Sequence, residues 1–177
     1  MRTRLLSATA IAAVGAIMVV SVAPAESFPK AGSNTFACKV LKKAIAGTPL
    51  GQHATHIQVN GSGPGGCRYD TGEAGGLWVA DVGIKTYGSA LARRFVREEC
   101  KPMLTASNYV GDWLTTAESG ADVACRIGVL DKSLKTTTNN SVFAKGRWYG
   151  HLSTITPSRF APNFESLLRK VTAQLPR

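Results

Sequence analysis

The sequence predicts an α+β fold, a single antiparallel sheet of about five to six strands with three helices packed on it and two disulfides. Three observations lead there. Three segments carry apolar residues at helical spacing, and short strand-like runs separate them. Four cysteines lie far apart behind an N-terminal apolar leader. No internal repeat, and no Pro/Ser-rich linker after Gly32, divides the chain.

Residues 1–25 have the build of a secretory signal. Arg2 and Arg4 precede an almost continuous apolar or small run from Leu5 to Val22, and Ala23-Pro24-Ala25 supplies the small residues that a signal peptidase reads. The run approaches the roughly 20 residues of a membrane span. No Lys/Arg cluster follows it to stop transfer, so cleavage after Ala25 is expected. Cys38 stands thirteen residues past that point, too far to be a lipidated cysteine. The expected product is secreted or associated with the cell envelope, with no membrane span after cleavage. Residues 26–35 then form a short tail, and 36–177 form one α+β domain, long enough for a real core.

The chain carries 21 Lys+Arg against 11 Asp+Glu, a net charge of +10; without Arg2 and Arg4 it is +8. Outside a cell such a surplus favours anionic partners, although charge scattered along the chain also serves plain solubility. The expected partner is a protein or an anionic envelope polymer rather than nucleic acid.

Cys38, Cys67, Cys100 and Cys125 form no C-x-x-C, so neither a redox dithiol nor a zinc site is signalled. An even number in an oxidising compartment reads as two disulfides, and three pairings are open. Cys38–Cys67 with Cys100–Cys125 is preferred, because both join neighbouring elements and close moderate loops.

The elements follow in order. Phe36 to Ala46 is a helix: Phe36, Val40, Leu41, Ala44 and Ile45 form an apolar stripe opposite Lys39, Lys42 and Lys43, Thr35 caps the start, and Gly47 with Pro49 ends it. His56 to Val59 is a short strand. Gly61-Ser62-Gly63-Pro64-Gly65-Gly66 matches the G-x-G-x-x-G dinucleotide fingerprint literally, but that motif needs a helix directly after it to hold the pyrophosphate. Here Cys67-Arg68-Tyr69 reads as a strand, so the glycines form a hairpin connection and no nucleotide cofactor is expected. Leu77 to Tyr87 alternates as a central strand, with Trp78, Ala80, Val82 and Ile84 on one side. A second helix runs from Gly88-Ser89 to about Lys101, with Ala92, Phe95, Val96, Cys100 and Met103 on one face and Pro102 closing it. Tyr109 to Thr115, Val123 to Leu130, and Val142 to Ile155 are strands, the last with Gly146 and Gly150 as candidate breaks; the polar stretch Asp131 to Asn140 is a loop. Phe160, Phe164, Leu167, Leu168, Val171 and Leu175 mark a final helix, with Pro162 in its first turn and Pro176 at its end.

The stretch FACKVLKKAIAGTPLGQ, then GGCRYD, the strand GLWVADVGI and a helix of ALARRF type together resemble small exported actinobacterial domains. Many of those are lipoproteins of unassigned function, related to the Mog1/PsbP-like α+β fold. Cys38 and Cys67-Arg68-Tyr69 match their layout, over roughly Phe36 to Phe95, but the chain lacks their lipobox cysteine. The resemblance implies a binding or accessory role at the envelope and no catalytic residues.

No constellation of residues announces a reaction. No G-x-S-x-G accompanies His53, His56 or His151. In HATH, His53 and His56 lie three apart on a loop-to-strand segment, where they point to opposite faces, so no metal is expected. Asp81 and Asp112 have no recognisable carboxylate partner, and Glu98-Glu99 sit among arginines as local ion pairs. The candidate binding residues are basic: Arg93, Arg94, Arg97 and Lys101 on one helix and Arg147 beside Lys145, Trp148 and Tyr149 on a strand, with Lys39, Lys42 and Lys43 on another helix. Were these surfaces to adjoin, they would grip a phosphate-bearing polymer. The reading is a non-enzymatic module that binds a protein or an anionic envelope ligand; the alternative is a small exported hydrolase whose site residues no motif reveals.

Overall fold

The computed structural model describes residues 35–60, 65–72, 77–106, 109–160 and 163–176. The expected signal segment, the tail apart from Thr35, the Gly61–Pro64 turn and Pro162 lie outside them.

The chain folds as α1 (Phe36–Ile45), α2 (Pro49–His53), β1 (His56–Asn60), β2 (Gly66–Asp70), β3 (Val79–Thr86), α3 (Ser89–Thr105), β4 (Val110–Leu114), α4 (Thr116–Ser119), β5 (Val123–Asp131), β6 (Thr136–Lys145), β7 (Trp148–Pro157), a 3-10 turn (Ser158–Phe160) and α5 (Phe164–Ala173). One antiparallel sheet holds all seven strands in the order β1-β2-β3-β7-β6-β5-β4. Two meanders, β1–β3 and β4–β7, therefore meet where β3 pairs with β7, from Val79↔Ile155 to Thr86↔Trp148.

Strand alternation sorts the core onto two faces. On the first face Ala80, Val82, Ile84, Phe143 and Leu152 pack against α1, α2 and α5, with Leu41, Leu50, Phe164, Leu168 and Val171 from the helices. On the second face α3 covers only the β4–β7 half, through Ala92, Val96, Cys100, Cys125, Val142 and Ala144. Each face has its own disulfide. Cys38–Cys67 ties α1 to β2, with Cα atoms 4.9 Å apart, and Cys100–Cys125 ties α3 to β5, with Cα atoms 6.0 Å apart.

Local signals explain most boundaries. The Thr35 hydroxyl accepts from Cys38 N at 3.2 Å and opens α1, whose lysines Lys39, Lys42 and Lys43 face water. Asn163 caps α5 in the same way, its side chain accepting from Ser166 N at 2.8 Å. β2 follows the glycine-rich stretch directly and pairs with β1, Asn60 opposite Gly66. That strand stands where a nucleotide site requires a helix.

The structure differs from expectation in five places. Among the described residues the sheet has seven strands, not five or six, and there are five helices rather than three, α2 and α4 being short. Of the segment expected as a loop, Asp131 to Asn140, the half from Thr136 onward lies in β6. Its threonines suit a strand, and Thr136, Asn139 and Ser141 are buried despite their polarity. Of the two candidate breaks in Val142 to Ile155, Gly146 is one, its φ of 54° turning the chain between β6 and β7. Gly150 breaks nothing: it lies within β7 beneath the Phe143 ring, and a Cβ there would stand 2.9 Å from Phe143 Cε2. Pro102 does not end α3, which runs on to Thr105. Proline forfeits the hydrogen bond to Glu98, but both residues are exposed, so water serves that carbonyl. Phe160 belongs to the 3-10 turn, and α5 begins only at Phe164.

Candidate functional site

The structure separates the basic surfaces. α1, with Lys39, Lys42 and Lys43, packs on the first face, and α3, with Arg93, Arg94, Arg97 and Lys101, packs on the second. Arg93 lies 4.0 Å from Asp122, and Arg94 pairs with Glu98 at 2.7 Å. Arg147 is exposed in the β6–β7 turn, where its carbonyl accepts from Tyr87 N at 2.8 Å, just before α3. Trp148 and Tyr149 point to opposite sides. Trp148 stacks on Phe36 and donates to the Pro176 carbonyl at 2.8 Å. Tyr149 donates to Glu99 at 2.6 Å on the α3 side; burial first, then the Glu99 carboxylate, push its hydroxyl pKa well up. Lys145 is spent on the Thr172 carbonyl of α5, at 2.8 Å. The two basic helices and the aromatic strand therefore do not form one surface.

A cleft of about 630 Å³ opens instead where the β5–β6 turn meets the end of β7. Leu77, Leu130, Leu134 and Pro157 give it apolar walls, and Lys132, Lys135 and Arg159 give it basic ones. Leu77, Leu130 and Leu134 are 40%, 57% and 62% exposed, an unusual set of leucines to leave in water. The turn that carries Leu134 is fixed. Asp131 Oδ1 accepts from Ser133 N, Ser133 Oγ and Leu134 N at 2.9, 2.6 and 3.0 Å. The Ser133 hydroxyl and then the Leu134 amide hold the Asp131 carboxyl below its ordinary range. Lys135 takes a left-handed φ of 53°, and its carbonyl accepts from Ser158 N at 2.8 Å, locking the turn to the far wall. The sequence hid this site, because Leu77 lies more than fifty residues from Leu130 and Leu134, and Leu77 and Leu130 read as ordinary members of apolar strand segments.

A different arrangement begins on the second face of β1–β3, beyond the part that α3 covers, and continues onto β7 and β6. Gln58, Arg68, Asp81, Ser153 and Asn140 lie opposite one another in a single row across β1, β2, β3, β7 and β6. Beside them Asp70, with an 8% exposed side chain, accepts from His56 Nδ1, Gln58 Nε2, Arg68 Nε and Gly72 N at 3.0, 3.1, 3.0 and 2.8 Å. Burial alone would raise the Asp70 pKa; the Gly72 amide, Arg68 and His56 outweigh it and hold it low. His151 lies 3.3 Å from Asp81, with its ring over Gly83, where a Cβ would stand 2.7 Å from Nδ1 and 2.8 Å from Nε2. Strand spacing alone gives no hint of these pairs, because the register that makes them joins segments far apart in the chain. His53 ends α2 and stacks on Trp78 with ring centroids 4.4 Å apart, so the two histidines of HATH serve different elements. Among the described residues no group of three or more His, Cys, Asp or Glu is placed to hold a metal. No described helix is long and apolar enough to cross a membrane.

No protein-family model matches the chain, and neither a curated protein nor a solved structure matches it.

Proposed function

We propose that the protein is an exported, non-enzymatic binding module that holds an anionic amphiphile of the cell envelope in the cleft between the β5–β6 turn and β7. One observation carries this reading: exposed Leu77, Leu130 and Leu134 share a cleft of about 630 Å³ with Lys132, Lys135 and Arg159. Apolar walls suit an alkyl chain, and ammonium and guanidinium groups at the same opening suit a phosphate or carboxylate head. The two disulfides suit an oxidising compartment, in keeping with the apolar leader at residues 1–25. The likeness of Phe36 to Phe95 to small exported Mog1/PsbP-like domains belongs to the same proposal. The described residues that line the cleft include no histidine and no carboxylate, which favours binding over the hydrolase alternative. Beside Lys132 and Lys135, the α3 arginines make a weaker anion site, because Arg93 and Arg94 already face Asp122 and Glu98.

Titration calorimetry with monomeric decyl phosphate and with a neutral decyl glycoside tests this. The phosphate is expected to bind more tightly, and Lys132→Glu with Lys135→Glu to weaken it about tenfold or more, the equivalent of roughly 1.4 kcal/mol. Equal affinity for both amphiphiles, or no binding of either, refutes the proposal.

A further inference from the structure

Among the described residues, six buried side-chain atoms have no hydrogen-bond partner in the protein: Tyr69 Oη, Thr71 Oγ1, Arg126 Nε, Ser141 Oγ, Thr154 Oγ1 and Thr156 Oγ1. A few such atoms per hundred residues, on the order of what most folds bury, would be ordinary if scattered. These are gathered. Strand alternation puts Tyr69, Ser141, Thr154 and Thr156 on the first face, with Ala80, Phe143 and Leu152. Register then makes them neighbours. Tyr69 stands opposite Ala80, Ala80 opposite Thr154, and Thr154 opposite the buried Asn139, all in one row. Thr156 lies in the next row toward the cleft, opposite Thr137, which itself faces Leu130. Ser141 lies in the row on the other side, opposite Arg126. Thr71 follows Tyr69 by two residues, just past the end of β2.

We infer that a cluster of ordered water molecules, enclosed against this end of the first face, hydrogen-bonds these groups. Three properties of the set select water. The first is charge. Arg126 is the only charged member, and its guanidinium pairs with Glu165 of α5. Asp70 is held by Arg68 on the second face. An enclosed anion or cation would therefore lack a counter-charge here. The second is hydrogen-bonding capacity. Each hydroxyl both donates and accepts, whereas Arg126 Nε only donates, so the occupant has to do both. The third is enclosure. Thr154 and Thr156 are 0% exposed, so the occupant is small and sealed in. Water meets all three conditions, and buried waters commonly satisfy such groups with two to four bonds each. An apolar filling would leave every hydroxyl unpaired, which is the costly way to bury one. The first face is thus dry around Phe143 and Leu152 and wet toward the end of β7.

Two measurements on the oxidised protein test this. A high-resolution crystal structure is expected to show water oxygens within hydrogen-bonding distance of Thr154 Oγ1, Thr156 Oγ1 and Ser141 Oγ, linked to one another or to Tyr69 Oη. Direct bonds among these groups, a dry apolar contact over them, or density for a larger molecule such as a polyol overturns the inference. Thr154→Val and Thr156→Val keep the shape of each side chain and remove its hydroxyl. Each is expected to lower the folding equilibrium constant about tenfold, read by urea unfolding, because the enclosed water loses a partner. An unchanged or raised constant means that valine fills the position as well as threonine or better, so the site is dry and the inference fails. The residues named as lining the cleft include none of these six, so decyl phosphate binding by the valine variants bears on that reading alone.

Discussion

The two faces of the sheet reach the same end by unequal means. On the first face, α1 and α5 press a continuous apolar stripe onto the strands, and Phe143, Phe164, Leu41 and Leu168 are almost fully buried. On the second, the fully buried side chains are few and small, Ala92 and Val96 of α3 against Ala144, beside the disulfide, and the larger Tyr87, Met103, Leu104 and Tyr149 are only partly buried around them. The disulfides close loops of similar length, 29 and 25 residues apart, so each stabilises by about 3–4 kcal/mol through the unfolded chain. What differs is the packing left behind when the bond is gone. A helix on a broad core survives the loss of its covalent tie; a helix on a narrow one depends on it.

The largest expected effect is on the first face. Phe143→Ala empties the space above Gly150 and is expected to cost about 3–5 kcal/mol, read by urea unfolding of the oxidised protein. A loss near 1 kcal/mol would mean that the first face is packed no better than the second. The disulfides come next. Cys38→Ala with Cys67→Ala, and Cys100→Ala with Cys125→Ala, are each expected to cost about 3 kcal/mol. Hydrogen exchange tells them apart: the second pair should release Ser89–Thr105 selectively, and the first should leave Phe36–Ile45 protected. Equal protection of both helices would erase the contrast.

The smallest effect concerns the second face of β1–β3, beyond α3, where charge replaces apolar burial. The Asp70 carboxyl has a depressed pKa in the fold, so the stability it adds is present above its ordinary unfolded value and is lost as pH falls through the folded one. Asp70→Asn is expected to cost about 1 kcal/mol at neutral pH. The gap between variant and wild type should close in acid, below the folded pKa. A gap independent of pH would assign the effect to packing rather than to the carboxylate.

Much of this architecture is legible in the residues. Helical spacing located α1, α3 and α5, and alternation in Trp78, Ala80, Val82 and Ile84 identified the face of β3 that packs against helices. The cysteines joined as expected, because each pair links a helix to a strand it covers. What escaped has a common cause. Thr136 to Asn140 is polar yet strand-forming, and Pro102 interrupts a helix only where the lost bond faces water. The cleft depends on register and turn geometry that bring Leu77, Leu130 and Pro157 together, and no local pattern encodes such a meeting. The basic helices were visible, but nothing in their spacing told that a sheet would stand between them.

The junction of the two meanders has a consequence for how the molecule is made. β3 finds β7 only after α3 and the whole second meander have been synthesised, so Val79–Thr86 waits with one flank bare. A nascent chain that stops short of Trp148 holds this flank of β3 open to any neighbour. Whatever holds the chain unfolded until Trp148–Pro157 has been made therefore spares that flank a wrong partner.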